Sequence, residues 1–579
     1  MILRALTIKN FASIGDPGIV VPIDEIVVLI GQNNVGKSSV LDAYEAFAST
    51  GSALPIKCFR DEDPANAISI GGLFSGLTDE DRDALGEKWV YDDPDYGKVV
   101  QAKWEWAEPD KKASKFSWDE AAKKWEPGGM GGWDTLITSR IPIPLRVRPT
   151  DDPEKTEAQV VEILTAAAKD ALKKDTKKAA KVLGELQALA DEFAKGAQKE
   201  LDDACDKISN KLDGIFPGHR VSLQQSIGKI DPDKIIAAGS HVRVAPPGGA
   251  PVPLSHQGAG MRRAFLWSAL GTLVEIGRAK KGTKKIDPGR QRMLLLEEPE
   301  SFLHPPMIRA ARDALYGLAA IDEWQVLTCT HSPIFIDVSK PHTTIMRVEK
   351  GVSGSPRVFS SEAAEFTEDD RTKLRMIRSC HPTVSEFFFA DHAFLVEGET
   401  EQAVLNHAIS VSPASGGLWC NVVNCMGKAN LVLFAKILNQ FGTPYTIVHD
   451  ADSPKSKRKD KWIKNGMWTE NQKISDVVAN RDKSLPPCGL IAQVPDFEGF
   501  YFGELGGKDK PYHAITTLDS DEFQKTYQYK LLMKFADSAL TKKHPGSYSD
   551  YPALKKLVET WKTDNNPSPK EQWEFAADQ

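Results

Sequence analysis

Two stretches carry most of the chemistry this sequence can offer. Phe394-Leu395-Val396-Glu397-Gly398-Glu399-Thr400-Glu401 and Tyr445-Thr446-Ile447-Val448-His449-Asp450-Ala451-Asp452 each run from apolar residues into carboxylates. Such a run reads as a buried strand that delivers oxygen ligands to one edge of a sheet. A further run, Leu490 to Val494, ends in Asp496-Phe497-Glu498. Grouped carboxylates repel one another, and a divalent cation relieves that repulsion. Any one acid is more often a solvated surface group; the set, at the ends of successive strands, points to metal. The candidate ligands are Glu397, Asp450, Asp452 and Glu498, with Glu401 one helical turn past Glu397 and able to face the same place. Two ions about 4 Å apart activate a water and stabilise the leaving oxygen of a phosphodiester.

A second chemistry lies upstream. Gly31-Gln32-Asn33-Asn34-Val35-Gly36-Lys37-Ser38, followed by Ser39, has the spacing GxxxxGK[ST] between a buried-type strand and a helical pattern. Backbone N–H groups of such a loop hold phosphates at a helix N-terminus, Lys37 reaches the β- and γ-phosphates, and Ser38 ligates Mg²⁺. Arg292-Met293-Leu294-Leu295-Leu296-Glu297-Glu298-Pro299-Glu300 is an apolar strand ending in acids. Glu297 is placed to hold the Mg²⁺ shell of ATP and Glu298 to polarise the attacking water. Between them, Ser255-His256-Gln257-Gly258-Ala259-Gly260 puts a serine and glycines at a helix start, an arrangement that can bind a γ-phosphate from a facing subunit, although Ser-x-x-Gly alone is common. His331 in Thr330-His331-Ser332-Pro333 follows another apolar strand. Alone it reads as structural.

The elements that must position these residues are legible in outline. Residues 1–10 alternate like a strand, Glu25 to Ile30 is a buried-type strand, and 38–48 is helical. From about 98 to 148 the sequence is strand-like and rich in Trp104, Trp106, Trp118, Trp125 and Trp133, and reads as an antiparallel arm. Residues 153–212 are rich in Ala, Lys, Glu and Asp with apolar residues at helical spacing. They predict an inserted pair of amphipathic helices, either a solvated hairpin or a dimerisation element. From His392 the pattern is strand, helix, strand, helix, strand, the order of a parallel sheet with ligands beyond the strand C-termini. The run Pro454 to Trp462, with Lys455, Lys457, Arg458, Lys459 and Lys461, is either a solvated loop or a phosphate contact beside the acids.

Composition sets outer limits. A chain of 579 residues predicts several domains. Hydrophobic residues at 41% and charged residues at 26% are ordinary for a globular protein. No apolar run reaches the length of a membrane span and no signal pattern opens the chain, so no membrane partner and a cytoplasmic location are expected. Seven cysteines with no CxxC pair argue against a disulfide framework. A net charge of −7 does not advertise nucleic-acid binding, but a local basic patch can supply it.

The upstream motifs, in their order, resemble an ABC-type ATPase of the SMC/RecF kind. The opening Leu6-Thr7-Ile8-Lys9-Asn10-Phe11 and the turn Leu303-His304-Pro305 fit that group, and His331 resembles its γ-phosphate sensor. Two departures stand out: Glu297 occupies a position where Asp is commoner, and the signature loop reads Ser-His-Gln-Gly rather than Ser-Gly-Gly-Gln. Slow turnover is expected from the second. Composite sites in that class form between subunits, so the resemblance implies a homodimer or a higher homo-oligomer. Glu-Gly-x-x-Glu, a glycine after the next strand, then Asp-x-Asp resembles a Toprim domain. ATPase followed by Toprim resembles the OLD (overcoming lysogenization defect) family of nucleases, which includes the nuclease subunit of Gabija-type anti-phage systems.

That resemblance covers nearly the whole chain. It implies an α/β protein: an SMC/RecF-like ABC ATPase domain (1–152 and 216–350) interrupted by a helical dimerisation element (153–215), then a linker (351–390) and a Rossmann-like Toprim domain (391–579). It implies ATP and two Mg²⁺ ions, with Mn²⁺ or Ca²⁺ as substitutes, on Glu397, Glu401, Asp450, Asp452 and Glu498. It also implies a catalytic lysine, for which Lys510 is favoured over Lys508 by its Lys-Pro context. The expected function is a metal-dependent DNA endonuclease regulated by ATP, in anti-phage defence or DNA repair, with a UvrD-like helicase as partner. The alternative is a DNA-binding ATPase with an inactive Toprim-like domain. A topoisomerase needs a DNA-gate domain for which too few residues follow Glu498, and the ATPase half gives a primase no support.

Overall fold

The computed structural model describes residues 1–32, 35–128, 140–149, 201–213, 217–224, 241–280, 291–322, 324–337, 343–350, 356–360, 386–503 and 509–575. Asn33, Asn34, Lys508 and most of the expected helical insertion lie outside the described residues; of that insertion, 201–213 are helical. The chain divides into two compact units, one built on Met1–Phe335 and the other on Phe359–Gln579. Residues 356–360 of the expected linker form a strand, Pro356–Ser360.

In the first unit, Ile26–Ile30, Trp324–Cys329, Arg292–Glu297 and Ile143–Val147 lie side by side and parallel. Three of the four are buried nearly end to end, as strands covered on both faces must be. A second, antiparallel sheet orders Ile19–Pro22, Ile2–Lys9, Ile68–Ser75, Gly97–Trp106, Ser114–Asp119 and Lys124–Pro127. The helix Lys37–Ala48 touches both sheets. Its Phe47 stacks on Phe74 and Trp104 at 5.9 and 5.4 Å, and the Trp104 indole N–H donates to the Phe47 carbonyl at 2.9 Å. On the other side the Tyr44 hydroxyl donates to the Pro142 carbonyl at 2.7 Å. Burial of each large side chain there contributes roughly 1.5–3 kcal/mol.

The tryptophan-rich stretch is not a separate arm. Gly97–Trp106 pairs with Ile68–Ser75 and turns Trp104 and Trp106 inward, so it needs the helix Lys37–Ala48 as its cover. The last strand of the stretch, Ile143–Val147, leaves that sheet and joins the parallel one.

The second unit holds a four-stranded parallel sheet in the order Cys420–Asn424, His392–Val396, Tyr445–Asp450, Gly489–Gln493. The first and third strands in sequence are therefore neighbours, and their C-terminal residues emerge together. Helices Glu399–Val411 and Lys428–Gln440 make the crossovers. Phe394, Val396, Val404, Val448, Ile491, Phe497 and Phe535 form one core, and Ala451, Trp468, Val494, Leu554 and Trp573 another. The basic run forms two strands, Lys455–Arg458 and Lys461–Lys464, paired antiparallel. A long C-terminal helix spans Tyr551–Asn565. No helix among the described residues is long and apolar enough to cross a membrane.

Candidate functional site

The phosphate loop leaves Ile26–Ile30 at Gly31 and enters its helix at Lys37. Gly31 has φ +141°, and a Cβ there would sit 2.1 Å from the Val348 carbonyl oxygen, so only glycine fits. Gly36 caps the helix at φ +105°. The Lys37 ammonium is folded back onto its own loop, donating to the carbonyls of Gly31 (2.9 Å) and Gln32 (2.6 Å). Burial lowers its pKa, opposed by the charges of Glu298 and Glu300. Ser38 is exposed and its side chain is hydrogen-bonded to Glu297, whereas Ser39 pairs with Ser13 at 2.8 Å between hydroxyls.

The acids that end Arg292–Glu297 face this loop. Glu298 holds left-handed backbone at φ +44°, a costly conformation for a non-glycine residue, and its carboxylate accepts from the Ser301 hydroxyl at 2.8 Å. Glu300 accepts from the Thr330 hydroxyl and the His331 amide, both at 2.7 Å. The His331 ring loses basicity through burial and the nearby Lys37 charge. Lys37, Ser38, Glu297, Glu298 and His331 are thus brought together. Ser255, Gly258 and Gly260 form a different turn. A Cβ on Gly260 would lie 3.0 Å from the Phe302 carbonyl oxygen, so this turn abuts the one after the acids.

One group here was not legible. Arg146, buried, binds both Glu297 and Asp42, the latter at 2.8 Å, and Arg148 binds Asp42 and Glu45 at 3.1 Å. Burial raises the Glu297 carboxyl and Arg146 opposes the rise. The residue assigned to the Mg²⁺ shell therefore has a guanidinium partner 151 positions away in sequence.

At the second site the parallel sheet gathers the expected acids. Glu397 follows His392–Val396 and accepts the Asp450 backbone N–H at 2.9 Å. Asp450 ends the neighbouring strand and accepts the Phe497 N–H at 2.7 Å. Burial pushes Glu397 up to about 7 and Asp450 up to about 9, with the surrounding acids adding to the rise. Glu401, buried in the first turn of Glu399–Val411, is also raised by burial and by Glu498. Glu498 pairs with Lys510 at 3.2 Å, and Lys510 also feels Asp496 and Asp450. Asp452 completes the group from left-handed backbone, φ +57°.

Lys428, overlooked in the sequence, sits among these acids. It is the first residue of Lys428–Gln440, follows Gly427 at φ +115°, and its side chain is 1% exposed. Its ammonium donates to Asp452 Oδ2 (2.5 Å) and to the Asp450 carbonyl (2.6 Å), 4.0 Å from Glu397 Oε1. His449 backs the same peptide: its Nδ1 is 2.8 Å from the Asp450 carbonyl and its Nε2 2.7 Å from the Tyr548 hydroxyl. Burial drives its pKa down to about 3, so the ring is neutral. Among the described residues no three His, Cys, Asp or Glu side chains converge as a metal-holding group. Lys428 and backbone amides engage the acid oxygens instead. The donor set nevertheless fits a hard divalent cation, being all carboxylate oxygen, and the ammonium among these acids shows that the cluster takes up positive charge.

Two parts of the chain match known protein families. Residues 388–452 match the family described as "Overcoming lysogenization defect protein-like, TOPRIM domain". Residues 26–337 match the family described as "AAA domain, putative AbiEii toxin, Type IV TA system". The Old nuclease of Escherichia phage P2 is 23% identical over 570 residues, covering 94% of this chain and 88% of that protein. The OLD nuclease of Thermus scotoductus is 26% identical over 234 residues, 39% of this chain and 43% of that one. An SMC head bound to the C-winged helix domain of ScpA aligns with a TM-score of 0.39 at 14% identity, over 62% of this chain and 97% of that one. The AAA-domain match alone spans more than half of the sequence. The chain belongs to that AAA-domain family and, with an OLD-like Toprim domain joined to it, is an OLD-family ATPase–Toprim protein whose domains use a nucleotide and a divalent metal.

Proposed function

We propose that this protein is a metal-dependent DNA endonuclease whose cutting is regulated by ATP at the ABC-type site. The observation that carries the reading is the grouping of Glu397, Glu401, Asp450, Asp452 and Glu498 at one sheet edge, in a chain that also assembles Lys37, Ser38, Glu297, Glu298 and His331. The five acids would hold Mg²⁺, or Mn²⁺ or Ca²⁺ in its place. A cation held there would supply Lewis acidity toward the phosphodiester and toward a water. Lys510, half exposed beside Glu498, neutralises charge that develops on the phosphate in the transition state. Lys37 and the loop from Gly31 to Ser39, Asn33 and Asn34 included, bind the nucleotide phosphates, Glu298 polarises the attacking water and His331 senses the γ-phosphate. Ser255, Gly258 and Gly260 serve the nucleotide of a second copy, so the working form is a homodimer or larger, with 153–215 as its helical dimerisation element. The domain limits 1–152, 216–350, 351–390 and 391–579 go with this reading, as do a cytoplasmic setting, a role in defence or repair, and a UvrD-like helicase partner.

The test is plasmid cleavage in Mg²⁺ or Mn²⁺. Asp450→Ala should reduce cleavage at least a hundredfold while nucleotide affinity stays unchanged. Undiminished cleavage by that variant would sink the assignment. A second reading, a DNA-binding ATPase with an inactive Toprim domain, draws on the Lys428 ammonium lodged among the acids. It expects DNA binding without cleavage by the wild type in either metal.

A further inference from the structure

The structure points to a DNA-binding element that the motifs do not include: we propose that the hairpin Lys455–Lys464 is a sequence-independent arm for the phosphate backbone of duplex DNA. The substrate class rests on the nuclease reading above. In a chain of net charge −7, residues 453–469 hold six cations and one acid, Asp460. The stretch is not a loose loop. Lys455 pairs with Lys464, Ser456 with Ile463, Lys457 with Trp462, and Arg458 with Lys461. Like charges directly opposite each other destabilise a strand pair, and this ribbon has them at both ends. The turn residues Lys459 and Asp460 both have positive φ, 49° and 60°. A tight hairpin turn of this kind prefers Asn-Gly, and a lysine in left-handed backbone costs on the order of 1 kcal/mol. The ribbon thus carries charge where neutral residues would fold it better.

Its base is anchored, the first strand lying against Lys570–Trp573, and the residues from Lys457 to Lys461 are exposed, Trp462 being half-buried. The Asn465 side chain donates to the Ser453 carbonyl at 2.9 Å, Gln572 to the Ser453 hydroxyl at 3.0 Å, and Lys455 bridges to Glu574 at 3.3 Å. Asn471 donates to the Ala451 carbonyl at 2.8 Å, so the same anchoring holds the peptide between Asp450 and Asp452. Beyond the base only Lys457 has an acidic partner, Asp460 at 3.2 Å, and both side chains are exposed. Among the described residues Arg458, Lys459, Lys461 and Lys464 form no ion pair. A four-residue shaft spans roughly 13 Å, along which a duplex presents about eight charges. Lysine ammoniums are point charges that meet phosphates from many directions and read no base edge. The arm begins three residues after Asp452, so a duplex lying on it is held beside the carboxylate edge.

The experiment is duplex binding by fluorescence anisotropy in EDTA, titrated with salt, on the full-length protein. Removing four cations as Arg458→Gln, Lys459→Gln, Lys461→Gln and Lys464→Gln should weaken affinity at least tenfold at about 0.1 M salt. The slope of log affinity against log salt should become shallower by roughly 0.9 for each phosphate no longer neutralised, up to about 3.6. The weakening should be equal on unrelated duplex sequences. The charge-keeping set Arg458→Lys, Lys459→Arg, Lys461→Arg and Lys464→Arg should retain the wild-type slope. Unchanged affinity and slope in the glutamine set overturn the proposal, as does a weakening confined to one sequence. Because no cleavage is read, an inactive Asp450 site leaves this outcome untouched, and a failed arm leaves the Asp450→Ala result standing.

Discussion

The ammonium of Lys428 is held by Asp452 and the Asp450 carbonyl in surroundings that leave its side chain 1% exposed. Burying an isolated cation costs several kcal/mol, and the loss is offset only where acids need the charge. Glu397, Asp450 and Asp452 are such acids, so Lys428 acts as a built-in counter-ion for a cluster that would otherwise repel itself. Removing it without replacement strands those carboxylates. Lys428→Met should therefore destabilise the metal-free protein by about 3 kcal/mol, the low end for breaking a buried pair because Asp452 keeps some access to solvent. Divalent metal can then supply the missing charge. Thermal melts in EDTA and in Mn²⁺ check this: Mn²⁺ should raise the melting temperature of Lys428→Met more than that of the wild type. An equal rise in both would show that Lys428 and the metal do not share the same acids.

The parallel pairing of His392–Val396 with Tyr445–Asp450 places Glu397 and Asp450 at one buried edge, and burial raises both pKa values, to about 7 and about 9. The folded protein thus holds protons that the unfolded chain releases near the ordinary carboxylate range. Stability from this pair is full below about pH 4 and is lost as pH rises through about 7 and then 9. The metal-free protein should melt at progressively lower temperature from pH 5 to 9, less steeply in Asp450→Asn. Mn²⁺ affinity, which needs both acids deprotonated, should rise over the same window by calorimetry. A flat melting profile would contradict the burial of the pair. These acids were legible because apolar runs of strand length end in them and the strand–helix alternation puts such ends on one edge. Lys428 was not: Met426-Gly427-Lys428 shows where a helix starts, but not that its first side chain reaches the end of the next strand. Arg146 was hidden for another reason. Its strand reads like the antiparallel run before it, and only the sheet order reveals that Ile143–Val147 lies beside Arg292–Glu297.

At the scale of the molecule, the described nucleotide residues and carboxylate residues fall in separate compact units. Each site should therefore survive loss of the other. Lys37→Ala removes the ammonium that now rests on the Gly31 and Gln32 carbonyls, and should abolish nucleotide binding while leaving Mn²⁺ binding at the acids intact. Regulation between the units is then a coupling free energy and must be reciprocal: a factor by which nucleotide changes duplex affinity is the factor by which duplex changes nucleotide affinity. Couplings of this kind run from about 5- to 150-fold. Asp450→Ala, which should bind DNA without cutting it, allows both affinities to be measured at equilibrium. A common factor in that range, absent from the Lys37→Ala background, is the outcome expected of an ATP-regulated nuclease. A factor of one in both directions would mean that ATP does not act on DNA binding, and would confine its regulation to the cleavage step or to assembly of the subunits.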